Sequence, residues 1–251
     1  MVRISTAVLL VLAGAQIASA EAVSKPGQVK AAVAAKPADV LQVLKPEDID
    51  PARILPPPPA LDSDIQKAEL AQLRQIEAQR TQARFDQAVW DDTHQNSQMY
   101  AELLGPRWNL DKLPATRRVM QAINNDMKIA ATRAKDFFKR PRPWLTDSAL
   151  KTCPRKADAD PLSSYPSGHT IYAFSTGVVL AELMPDKAQA ILRRDQDFGY
   201  SRMVCGNHYR SDVAGGEALG TLVGRLILRS PKMQADLAAA RAELKAAGLT
   251  N

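Results

Sequence analysis

Only three of the 251 residues are histidines, and two of them sit where acid–base or nucleophilic chemistry is possible. His208 is followed four positions on by Asp212, a spacing that puts both on one helical face. There the carboxylate can accept a hydrogen bond from one ring nitrogen, fix the tautomer and leave the other nitrogen its lone pair. An ordinary i,i+4 surface ion pair has the same spacing. His169 closes the stretch Pro166-Ser167-Gly168-His169, which opens an apolar segment of helical character. The unpaired N–H groups and dipole of a helix N-terminus attract an anion, and Gly168 lets its backbone come close. Ser167 can donate to that anion or simply cap the helix. Lys135 and Arg142 add cations, Arg142 being stiffened between Pro141 and Pro143. A rigid guanidinium suits a fork onto two phosphate oxygens. Arg202, six residues before His208, is a second guanidinium. These pieces could meet around one phosphate.

The remaining sequence must hold them together. Apolar residues at helical spacing predict helices over 62–89, 96–104, 114–138, 169–184, 185–200 and 212–229. A last one starts at Ser230 and Pro231 and is ended by Gly248. In the first of these, Ile65, Leu70, Leu73, Ile76 and Phe85 are the candidate buried positions. Residues 144–167 lack periodicity and read as a loop. The 169–184 segment is apolar on most sides, as a helix buried all round requires. Gly216, Gly220 and Gly224 recur every fourth residue. A helix-interior glycine costs roughly 1 kcal/mol against alanine, so a neighbouring backbone is expected to pack close, within the chain or across a dimer. No alternating strand pattern is visible. The expected fold is an all-α helical bundle around a buried central helix.

The N-terminus differs in kind. Arg3, an apolar run and Ala18-Ser19-Ala20 form a secretory signal over residues 1–20, implying export to the periplasm. Residues 21–60 are Ala-, Lys- and Pro-rich and end in four consecutive prolines, reading as a tether followed by an extended arm. The helical domain then occupies 61–251. Its longest apolar run is too short to span a bilayer. Net charge is +6, or +5 once Arg3 is removed with the signal. Such a balance could draw nucleic acid or anionic lipid, but few aromatics interleave with the basic residues. Neither nucleic acid nor a membrane span is therefore expected. Cys153 and Cys205 are the only cysteines, and in an oxidising compartment they suit a disulfide; two buried thiols are the alternative. Asp91-Asp92-Thr93-His94 reads as an exposed turn or helix start with no assigned function. Arg133, Lys139 and Arg140 read as a basic C-terminal turn that complements a helix dipole.

Taken in order, Lys135 and Arg142-Pro143, then Pro166 to His169, then Ser201-Arg202, His208 and Asp212, resemble a known three-part signature. It is that of the superfamily uniting type 2 phosphatidic acid phosphatases and vanadium haloperoxidases. The signal peptide, the Pro-rich arm and the chain length are similar to the bacterial class A non-specific acid phosphatases. The resemblance implies metal-free, cofactor-free hydrolysis of phosphomonoesters, inhibited by phosphate or vanadate, in an enzyme that can be a homodimer. It implies His208 as nucleophile, Asp212 as its orienter and His169 as the proton donor, protonated at the outset. Lys135, Arg142, Arg202, Ser167 and Gly168 would bind the phosphate. Vanadate-dependent halide oxidation and a non-catalytic basic envelope protein are the rival readings.

Overall fold

The computed structural model describes residues 40–155 and 159–251. The expected signal peptide and most of the tether lie outside them. Among the described residues there is no strand, and seven helices of twelve residues or more form one bundle. They are α1 (Asp64–Gln79), α2 (Gln82–Thr93), α3 (Pro114–Phe138), α4 (Gly168–Leu183), α5 (Ala188–Val204), α6 (Arg210–Arg229) and α7 (Gln234–Ala246).

Helix α4 is the axis. Ile171, Ala173, Val179, Leu180 and Leu183 are buried on different sides of it, in the main core with residues of α3, α5, α6 and α7. Its closest partner is α6, and the glycine spacing explains why. A Cβ on Gly216, Gly220 or Gly224 would stand 2.8, 2.6 or 2.7 Å from the main-chain oxygens of Ser167, Ile171 and Ser175. Each glycine thus removes a clash along one face, and the backbone contact lies within the chain. Close contact lets the N-termini of both helices come together, and the Ser167 amide donates to the Asp212 carbonyl at 2.9 Å.

The 62–89 helix is two helices in the structure. Thr81 accepts from the Arg84 amide at 3.2 Å and starts α2 as a cap, a role threonine fills better than a helix interior. Arg80 at the break donates to the carbonyls of Val204 and Lys151. Leu73 is buried as its spacing implies, whereas Ile65 is 62% exposed. The helix drawn to 200 continues to Val204 and carries Ser201 and Arg202 in its last turns. Within the 144–167 loop lies the end of a single helical turn, Pro143–Thr146. The arm is more built-in than its composition suggests. Val43, Leu44, Ile49 and Leu55 join the main core, and short turns form at Pro46–Ile49 and Pro51–Ile54. The amides of Gln42, Val43 and Leu44 donate to the buried Asp126 carboxylate of α3 at 2.7–2.9 Å. No helix among the described residues is long and apolar enough to cross a membrane.

Candidate active site

Lys135, Arg142, Gly168, His169, Arg202 and His208 line one pocket of about 510 Å³. The last turns of α3 deliver Lys135, whose ammonium lies 3.6 Å from where a Gly168 Cβ would stand. At Lys139 the chain takes a left-handed conformation (φ 46°), which ends α3 and turns Arg142 inward. Ser167 is the N-cap of α4, and its hydroxyl oxygen accepts from Thr170 Oγ1 at 3.0 Å. Arg202 pairs with Asp92 of α2.

His208 is buried and precedes α6, so the shared helical face expected for His208 and Asp212 does not exist. Its Nδ1 instead lies 2.8 Å from the Ser164 carbonyl oxygen, while Asp212 Oδ2 is 3.5 Å away. A carbonyl can only accept, so Nδ1 carries the proton and Nε2 keeps its lone pair, an assignment made from the network. Nε2 accepts from Arg142 Nη1 at 2.8 Å. Asp212 is fully buried and receives Arg140 Nη1 (2.6 Å), Ser164 Oγ (2.6 Å) and the Tyr209 amide (2.8 Å). His169 donates through Nε2 to the Asp92 carbonyl at 3.0 Å, which leaves Nδ1 as its other ring nitrogen. Cys153 and Cys205 are joined as a disulfide, and the Cys153 amide donates to the Cys205 carbonyl at 3.0 Å. All eight residues expected from the sequence therefore belong to one locality, six in the pocket wall and Ser167 and Asp212 directly behind it.

A family model described as the PAP2 superfamily matches residues 121–236, which include all eight residues. A non-specific acid phosphatase of Salmonella typhi is 31% identical over 208 residues, covering 79% of this chain and 81% of that protein. The chain belongs to the PAP2 superfamily. An acid phosphatase of Zymomonas mobilis is 32% identical over 202 residues, with 79% and 76% of the two chains covered. The fold is also shared with a transmembrane PAP2-type phosphatidylglycerolphosphate phosphatase from Bacillus subtilis. That structure is 18% identical, with a TM-score of 0.51 over 66% of this chain and 86% of the other.

The electrostatics of this PAP2 site follow from clustered cations in a partly dry pocket. Burial, with Arg142 and Arg202 nearby, brings Lys135 down to about 7. Burial and Arg202 lower Arg142 to about 10. Both histidines are held well below the ordinary imidazole range, His208 by burial and then Arg142, His169 by burial and then Arg202. In the site without substrate, the surroundings of His169 favour the neutral ring. A bound dianion would act on the ring in the opposite sense. Burial pushes the Asp212 carboxyl up, and Arg140 opposes it.

Three positioning residues were not singled out by sequence reasoning. Arg140, read as part of a basic turn that complements a helix dipole, is 2% exposed and joins Asp212, Ser211, Gln66 and Glu69. Asp92, read as an exposed turn, holds both Arg202 and His169. Ser164 supplies His208 with its acceptor and Asp212 with a donor. Sequence pattern offers no signal for a main-chain carbonyl, and four basic residues within 135–142 look alike until burial separates them.

Proposed function

We propose that the protein is a non-specific acid phosphatase that hydrolyses phosphomonoesters through a phosphohistidine, without a metal, after export to the periplasm. The observation that carries this is His208 Nε2 facing the pocket while its Nδ1 is tied to Ser164. In this reading the Nε2 lone pair attacks phosphorus, and the phosphorus–oxygen bond to the leaving group breaks. The departing oxygen takes that electron pair and a proton from His169. Water then attacks phosphorus while His169 takes its proton, and the nitrogen–phosphorus bond breaks with its electrons returning to Nε2. Lys135, Arg142 and Arg202 hold the equatorial oxygens with the amides at the start of α4, the positioning and charge stabilisation that phosphoryl transfer needs. Asp212 stabilises the imidazole as it becomes positive. The acid phosphatase names of relatives at 31% and 32% identity support the substrate class. Inhibition by phosphate or vanadate follows from the same cradle, since both fit a site built for a tetrahedral or trigonal phosphorus.

The test is a panel of phosphomonoesters with EDTA present, followed by acid-free denaturing quench with radiolabelled substrate. Wild-type protein should release phosphate and trap label, and His208→Ala should do neither. Label retained in His208→Ala would assign the nucleophile elsewhere, and activity lost on adding EDTA would overturn metal independence.

A further inference from the structure

The pocket wall holds more positive charge than one phosphate uses. Among the described residues, Lys135, Arg142, Arg155 and Arg202 face it against a single carboxylate, Asp92. Asp160 stands close enough to raise Lys135 and Arg142 but lies outside the lining. Arg155 is exposed and is not among the residues of the phosphatase signature. Its guanidinium carbon sits 4.9 Å from the centre of the Trp144 ring, and that of Arg142 sits 5.3 Å from the same ring. The two guanidinium groups are therefore separated by no more than the sum of those distances. An indole face attracts cations, so Trp144 offsets the repulsion that would drive Arg155 away from Arg142. Its position is also fixed through the chain. Arg155 follows Cys153 by two residues, and the disulfide joins Cys153 to Cys205, three residues before His208. Arg80 donates to the carbonyls of both Lys151 and Val204, tying the same two segments together again.

We propose that Arg155, presented on Trp144, is a specificity residue that binds a second anionic group on the leaving side of the substrate. The preferred substrates are then phosphomonoesters that carry another phosphate or a carboxylate a few bonds from the ester oxygen. The proposal rests on the phosphatase reading and goes beyond it, because the reaction itself needs only one phosphate. The shared chemistry is an anion within reach of a guanidinium at the rim, which a bisphosphate and a phosphorylated hydroxy acid both supply.

The experiment compares kcat/KM for propane-1,3-diol monophosphate, its bisphosphate and 3-phosphonooxypropanoate, in wild type, Arg155→Ala, Arg155→Lys and Arg155→Glu. Wild type should favour the two doubly functional substrates over the monophosphate. Arg155→Ala should reduce that preference about tenfold, a loss of the size expected for one charge-assisted contact. Arg155→Lys should restore part of it and Arg155→Glu reduce it further. Loss of preference for the bisphosphate alone would confine the site to phosphate and still support the proposal. A preference unchanged in Arg155→Ala would overturn it, as would a parallel fall for all three substrates. If wild type hydrolysed none of them, nor p-nitrophenyl phosphate, the phosphatase reading itself would fail and take this proposal with it.

Discussion

The imidazole of His208 is held by the main-chain carbonyl of Ser164, at 2.8 Å, and not chiefly by the carboxylate four residues on, which lies at 3.5 Å. Ser164 reaches both partners, since its hydroxyl donates to Asp212 at 2.6 Å. The residue therefore sets the tautomer of one and the orientation of the other. This division of labour separates two roles that a histidine–aspartate pair usually combines.

Asp212→Asn tests that separation. When a carboxylate alone fixes the tautomer, replacing it with an amide slows turnover on the order of 10⁴-fold. Here the Ser164 carbonyl remains, so the tautomer should survive and only the charge facing the developing imidazolium is lost. Turnover of p-nitrophenyl phosphate should therefore fall by only about 10²-fold. Stability should drop as well, by less than the roughly 3–5 kcal/mol of an orphaned buried charge, because Glu69 still pairs with Arg140 at 3.1 Å. If turnover instead fell by the full factor of about 10⁴, in protein that still melts cooperatively, tautomer control would return to Asp212.

Lys135 should couple anion binding to protons. Burial and its two arginine neighbours place it at about 7, so the free site loses this charge as pH rises through neutrality. A bound anion favours the charged lysine, so binding takes up a proton above that point. Sulfate keeps its charge across the range and isolates the effect. Its inhibition constant should stay level from about pH 6 downward and weaken toward about tenfold per unit above about pH 7. Lys135→Met should bind sulfate more weakly at about pH 6 and show no such slope between about pH 7 and 9. A slope that persisted in the variant would assign the proton to another group.

Asp195 predicts a pH effect on stability away from the site. It is buried on α5, takes the Tyr100 hydroxyl at 2.6 Å, and its Oδ2 has no partner among the described residues. Burial raises its carboxyl to about 8. Between about 4, the ordinary aspartate value, and about 8, the folded state holds a proton that the unfolded chain has released. Raising the pH through that window therefore costs stability, by at most roughly 1.4 kcal/mol per unit. Asp195→Asn cannot titrate. The variant should match wild type near about pH 4 to 5 and exceed it in Tm by about pH 8. An equal fall in Tm for both proteins would remove Asp195 as the cause.

Much of this was legible because the relevant signals are local. Helix α3 is bounded by Pro114 at its first residue and by the chain turn before Pro141, and the buried axis of α4 shows in its all-round apolarity. The pocket-lining residues could be named because their order and spacing resemble the superfamily's three-part signature. Hidden features depend on tertiary contact. The break at Thr81 competes with a continuous amphipathic pattern, and it is accompanied by the Thr81 cap and by the tertiary contacts of Arg80 to Val204 and Lys151. Arg140 is set apart from the other basic residues of that turn by its burial, which arises from α1 and α6 closing over it through Glu69, Gln66 and Asp212. Asp92 acquires its part only when α2 is laid beside His169 and Arg202.

The glycine face of α6 gives a prediction in which position matters more than energy. An alanine Cβ at Gly216 would approach the Ser167 carbonyl to 2.8 Å, and one at Gly224 would approach the Ser175 carbonyl to 2.7 Å. Both contacts are with backbone, so neither can be relieved by a rotamer change, and each should cost about 1–3 kcal/mol through the shift it forces. The consequences for catalysis differ. Ser167 caps α4 beside Gly168 and His169, and its amide is bonded to the Asp212 carbonyl, so a shift there displaces the start of α4 and Asp212 together. Ser175 lies two turns along α4, with the main core around it. A misplacement of about 1 Å at reacting groups can cost on the order of 10²-fold in rate. Gly216→Ala should therefore lower kcat by about tenfold or more, while Gly224→Ala, with a similar fall in Tm, stays within about threefold of wild type. Equal losses of turnover in the two variants would mean that α4 moves as a rigid rod, and that the contact between its N-terminus and α6 holds the site no more firmly than the rest of the interface.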